Sequence, residues 1–161
     1  MALWLSPTFL RHAMNLWPPF RGAGIRVTAI ARDWSTATVE LRDRFFNRNF
    51  VGTHFGGSLF AMTDPFYVIM LIQRLGRDYV VWDRQSEIEY LRPGRGTVRA
   101  TLAITPEDVA SLRQAALGGA RVLRDFSAEI RDAEGELVAR VKKQLYVRLK
   151  KRQREDADSG T

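Results

Sequence analysis

The chain has 161 residues, 45% of them hydrophobic and 27% charged, which is the size and balance of one ordinary globular domain rather than a disordered or fibrous polypeptide. It holds no cysteine and two histidines, His12 and His54, so disulfides, thiolate catalysis, cysteine zinc sites and histidine-rich metal centres are all excluded. A net charge of +7 admits nucleic acid, an anionic membrane or a phosphate-bearing substrate as partner, and charge alone does not choose among them.

Residues 1–20 begin apolar but lack a basic leader and a long apolar core, and so do not have the pattern of a signal peptide. Leu5, Phe9, Leu10, Met14 and Leu16 instead suit one face of a short amphipathic helix that Pro18 and Pro19 end. Residues 25–42 alternate through Ile25, Val27, Ala29, Thr36 and Thr38 about a turn at Asp33 and Ser35, which predicts a hairpin. A loop rich in Asn and Arg, 43–55, leads into the apolar run 56–75, hydrophobic on every side like a helix surrounded by protein. Asp64 and Pro65 in its middle argue against a membrane span, because a charge in lipid is costly.

The rest reads as strand with one interruption. Val98, Ala100, Leu102 and Ile104 share one face of a strand, as do Val122, Phe126, Ala128 and Ile130. After a turn at 133–136, Leu137, Ala139, Val141, Leu145, Val147 and Leu149 mark the last long strand. Between them, 105–118 predicts a short helix in which Thr105 caps, Pro106 takes the first helical position and Asp108 closes the capping box.

These elements describe an α+β fold, one domain over 1–150 with a disordered polar tail at 151–161. A sheet wrapped around one helix covers it on one side only, leaving a sheet edge and a helix flank that a second copy of the chain would cover. The late basic residues, Arg140, Lys142, Lys143, Arg148, Lys150, Lys151, Arg152 and Arg154, read as a solvated strand face and tail. No aromatic stacking pattern accompanies them, so nucleic-acid binding ranks last.

Gly56-Gly57-Ser58-Leu59-Phe60-Ala61-Met62-Thr63-Asp64 resembles the start of the central helix in hotdog-fold thioesterases of the phenylacetyl-CoA type. In those proteins the catalytic Asp follows the second glycine by seven residues, as Asp64 follows Gly57. Downstream, Ile88-Glu89-Tyr90-Leu91-Arg92-Pro93-Gly94 is similar to the strand that follows that helix. The likeness covers residues 24–149 and is closest to a branch of the superfamily known as a domain of unknown function. It departs in two places: Phe55, not His54, directly precedes the glycines, and the helix after Thr105 is an insertion. The resemblance implies an antiparallel sheet around a central helix and a cytoplasmic homodimer, with further pairing into a tetramer left open. It also implies thioesters of coenzyme A or acyl carrier protein as substrates. No metal, bound cofactor, nucleic acid or membrane insertion is expected, coenzyme A entering only with the substrate.

Thioester hydrolysis needs donors aimed at the carbonyl oxygen and a group that attacks carbon or activates water. A helix start offers free backbone N–H groups, Gly56 and Gly57 let a substrate approach them, and Ser58 beside them is a further candidate for binding it. Asp64 serves as general base or nucleophile; set before Pro65, it also fits a plain helix cap. Seven residues of helix separate Gly57 from Asp64 by about 10 Å, so one thioester carbon touches both only if two helices run antiparallel in a dimer. His54 is a candidate to polarise the substrate, and Asn49, with Asn47 nearby, lies where the thioesterases keep an Asn that holds water or the carbonyl. Both loop residues also have plain structural readings. Ser86, with Glu87, is a candidate support for Asp64, and Arg92 and Arg95 for meeting the substrate's phosphates. The rival readings are a dehydratase or hydratase using His54 with Asp64, and a non-catalytic acyl-CoA-binding protein in which Asp64 only caps.

Overall fold

The computed structural model describes residues 6–150; the tail expected at 151–161 and the first five residues of the N-terminal segment lie outside the described residues. Helix α1 (Pro7–Leu16) starts where the Ser6 side chain accepts from the Phe9 N–H at 3.1 Å and Pro7 sets the first turn. Pro18 and Pro19 end it as expected, and they also open a second helix, α2 (Pro18–Ala23). The first turn of a helix has no use for the N–H groups that proline lacks.

Strands β1 (Ile25–Ile30) and β2 (Thr36–Arg42) form the expected hairpin. The apolar run 56–75 is helical in two segments, α3 (Gly56–Ala61) and α4 (Phe66–Leu75). Pro65 has no N–H for the Ala61 carbonyl, which takes the Asp64 N–H at 3.2 Å instead, and the Phe60 carbonyl takes that of Thr63 at 3.1 Å. The helix tightens and breaks there. Pro65 holds the cap position of α4 and no side chain caps it, which removes the reading of Asp64 as a helix cap.

Strands β3 (Tyr79–Tyr90), β4 (Thr97–Ala103), β5 (Val122–Arg131) and β6 (Leu137–Leu149) complete one antiparallel sheet of order β1-β2-β4-β5-β6-β3. Leu59, Phe66, Met70 and Leu71 of the two central helices, with Met62 just after the first, share one buried core with Val39, Leu41, Leu102, Ile130, Val141 and Leu145 of the sheet. Helix α5 (Pro106–Ala115) begins with the expected box, Thr105 and Asp108 each accepting the other's backbone N–H at 3.0 Å. β4 and β5 pair only at Arg99 with Arg131 and Ala100 with Ile130. Near the part of β5 beyond this pairing, the Tyr67 hydroxyl donates to the Ser127 carbonyl at 2.7 Å, and burial pushes the phenol up to about 12.

The two sheet edges differ. On β1, the Asn15 side chain of α1 donates to the Val27 carbonyl at 3.0 Å and accepts the Val27 N–H at 2.8 Å, imitating a neighbouring strand. β3, twelve residues long, pairs among the described residues only with β6. No helix among the described residues is long and apolar enough to cross a membrane.

Candidate active site

The 43–55 loop delivers the chain to the start of α3. Asn49 holds the loop's tip: its side-chain oxygen accepts the Val51 and Thr53 N–H groups at 3.1 and 3.0 Å, and its NH₂ donates to Thr53 Oγ1 and the His54 carbonyl at 2.8 and 3.2 Å. Both donors and both lone pairs of the amide are engaged, leaving none for water or a carbonyl. Asn47 is likewise tied to the backbone of Ala23, Arg42 and Arg44.

His54 is buried, and its Nε2 donates to the Gly96 carbonyl at 2.8 Å. Its Nδ1 is buried with no hydrogen-bond partner among the described residues. A cleft of about 590 Å³ lies over this region, with Asn49, His54, Gly56, Gly57, Tyr90 and Arg92 in its walls. The close neighbours explain the glycines. A Cβ on Gly57 would stand 2.4 Å from Phe55 Cε1, and one on Gly56 2.9 Å from the Tyr90 hydroxyl. The first N–H groups of α3 have no place in the helical ladder, and the rings of Phe55 and Tyr90 pack where side chains at 57 and 56 would stand.

Asp64 does not line this cleft. It sits at the break between α3 and α4, its side chain 59% exposed, where Lys143 Nζ donates to both its Oδ1 and its carbonyl at 2.7 Å. Lys143 reaches there from β6 through the protein interior with its side chain wholly buried. It also donates to Asp83 Oδ2 at 3.2 Å and passes 5.9 Å from the centre of the Phe60 ring. Burial pushes the Asp83 carboxyl above the ordinary carboxylate range, and Lys143 partly pulls it back. One buried ammonium thus anchors two carboxylates, and Asp64 Oδ2 carries no hydrogen bond among the described residues.

Lys143 does not lie on the solvated strand face that the late basic run predicts, its side chain being wholly buried. The signal lay in the alternation of β6, where Ala139, Val141, Leu145 and Val147 turn inward and the position skipped between them is 143. Ser86 pairs with Lys143 in the β3–β6 register, half-buried, while Glu87 is exposed beside Gln85, which donates to it at 2.7 Å. Ser58 is buried in α3, away from the cleft. Arg92 borders the cleft but its guanidinium is paired with Asp132 at 2.9 Å and Glu136 at 3.2 Å. Arg95 lies outside the cleft and donates to the Gly52 carbonyl at 3.2 Å. No group of three His, Asp or Glu side chains able to hold a metal lies among the described residues.

Six antiparallel strands curved around an axial helix that opens on a glycine pair define the hotdog fold. The chain belongs to the family described as domain of unknown function DUF4442, whose model matches residues 6–147. Solved structures share the fold at low identity. A protein of unknown function from Pseudomonas aeruginosa, described as a probable thioesterase, is 16% identical with a TM-score of 0.81 over 93% of this chain and 100% of that one. A thioesterase from Haemophilus influenzae is 16% identical, TM-score 0.67, over 92% and 94% of the two chains. The PaaI protein from the phenylacetic acid degradation operon of E. coli is 17% identical, TM-score 0.61, over 87% and 92%. No curated protein matches the chain by sequence.

Proposed function

We propose that the protein is a homodimeric hydrolase of acyl thioesters of coenzyme A or acyl carrier protein. The observation that carries the reading is Asp64: an exposed carboxylate, anchored through one oxygen by a fully buried lysine, at the middle of the central helix. Fixing a charged side chain that remains open to solvent serves a reaction better than it serves stability. The uncovered β3 edge and the exposed Phe50, Phe55 and Tyr90 supply the surface for a second copy.

In that assembly Asp64 of the partner subunit faces the glycine cleft. The Gly57 N–H, with Gly56, donates to the thioester carbonyl oxygen and stabilises the oxyanion as it forms. Asp64 takes a proton from water as the water oxygen adds to the carbonyl carbon. The C–S bond then breaks, and the departing thiolate receives that proton. Acting as nucleophile, Asp64 instead displaces the thiolate to form a mixed anhydride that water opens. Both routes give an acid and a free thiol, and hydroxylamine trapping marks Asp64 only in the second. His54, in the cleft wall, holds its place through the bond from Nε2 to the Gly96 carbonyl.

The test is Asp64→Asn, assayed by thiol release across short, medium and aromatic acyl-CoAs. A rate loss of roughly a hundredfold or more with a folded dimer is expected. Turnover at the wild-type rate would refute the role of Asp64, and an inactive wild type on every acyl-CoA and acyl carrier protein substrate would refute hydrolysis itself.

A further inference from the structure

Arg92, expected to meet phosphates, is neutralised by two carboxylates, and Arg95 is turned toward the backbone of the 43–55 loop. The opposite flank of the same loop is built differently. Between α1, α2 and the β1–β2 hairpin lies a second cleft of about 610 Å³. Arg21 from α2, Arg26 from β1, Arg42 from the end of β2 and Arg44 from the loop all line it, with Leu16 and Phe46 as apolar walls. No acidic residue lines it. Among the described residues only Arg42 of the four has a carboxylate partner, Glu40 at 3.2 Å, which is shared with Arg99 at 2.8 Å.

Four guanidinium groups from four segments around one concavity repel one another, and their planar forks match phosphate oxygens in pairs. The loop connects this cleft to the other. Arg44 and Phe46 stand on the arginine side, Asn49, His54 and Phe55 on the glycine side, and Asn47 between them pins the loop to the Ala23 and Arg42 carbonyls at 2.8 Å.

We propose that the arginine cleft binds the phosphorylated adenosine end of coenzyme A, its phosphates on Arg21, Arg26 and Arg44 and its adenine against the half-exposed Phe46 ring. The identity of the carrier rests on the hydrolase reading above; the binding of a phosphorylated nucleotide rests on the cleft alone. A concavity of this volume suits a small ligand, whereas a carrier protein or a lipid surface would call for a flatter and broader face.

Calorimetric titration with adenosine 3′,5′-bisphosphate, and separately with coenzyme A, needs no turnover and tests the cleft directly. Each of Arg26→Ser and Arg44→Ser is expected to weaken both ligands about tenfold, the scale of one charge-assisted contact. Arg121→Ser, an exposed arginine just before β5, removes the same charge and should leave binding unchanged. Melting temperatures check that the variants fold. Absence of nucleotide binding by the wild-type protein would overturn the proposal, as would equal weakening by Arg121→Ser. Arginine-dependent binding to vesicles of anionic phospholipid without binding of the nucleotide would overturn it in favour of a lipid surface. Nucleotide binding that depends on Arg26 and Arg44, in a protein that hydrolyses no thioester, would uphold the cleft and remove only the hydrolase reading.

Discussion

Lys143→Met keeps the apolar stem of the side chain and deletes only the ammonium, so it isolates what that charge contributes. Three hydrogen bonds disappear, two to Asp64 at 2.7 Å and one to Asp83 at 3.2 Å. Removing one partner of a fully buried ion pair costs about 3–5 kcal/mol. Here the Asp64 carboxylate is 59% exposed and rehydrates, so most of the penalty falls on the Asp83 carboxylate, 28% exposed, and on the Asp64 carbonyl. A loss of about 2–3 kcal/mol follows, or roughly 5–10 °C in Tm for a chain of this size. The pH dependence gives a second check. Asp83 binds its proton more tightly folded than unfolded, so its contribution to stability falls as pH rises through that window, more so without Lys143 to offset the burial. The deficit of the variant should therefore shrink on acidification from about pH 8 towards 4, as Asp83 becomes neutral. Thermal melts followed by circular dichroism across that range measure both effects. A variant melting within a degree of wild type at neutral pH, or a deficit independent of pH, would refute the account of Lys143 as a buried anchor.

Gly57→Ala should fold, since the Phe55 ring it would meet at 2.4 Å is exposed and free to turn, yet lose most thioester turnover; normal kcat/KM would remove Gly57 from the site. Glu40 sits in a burial that alone would raise it, but hydrogen bonds from Arg99 and Arg42 outweigh this and hold it below its ordinary 4.5. Glu40→Gln should accordingly destabilise at neutral pH, with the difference lost as pH falls through that depressed value; denaturant midpoints at several pH values decide it. Asn15→Ala removes two hydrogen bonds from Val27 and should cost about 1–3 kcal/mol while increasing aggregation, read by melting and light scattering. Sedimentation should find a dimer at micromolar concentration, and a single 18.4 kDa species would contradict the β3 edge as an interface.

Much of the architecture was written in local chemistry. The inward alternation of β4, β5 and β6 and the Thr105–Asp108 box each depend on neighbours close in sequence, and each appears where expected. The break at Pro65 was also legible as a conflict, because a proline inside a helix leaves the carbonyl four residues earlier without its donor. What could not be read locally is which groups meet across the sheet. Lys143 lies 79 residues from Asp64 in sequence, and its basic neighbour Lys142 made the pair look like a solvated face, although strand parity sends the two in opposite directions. Asn49 and Arg92 misled for a related reason. Their side chains have the right chemistry for a substrate, and only the fold reveals that the loop and the β5–β6 turn already occupy them.

The plug that Asn15 places on β1 also bears on how far assembly can go. A sheet with two open edges is the repeating unit of a filament, since each added copy presents a fresh edge to the next. With β1 closed by its own helix, the one long edge left among the described residues is β3, and an edge that pairs with its own counterpart about a two-fold axis is used up in doing so. A single asparagine thus occupies the hydrogen-bonding groups through which a further strand would be added at β1.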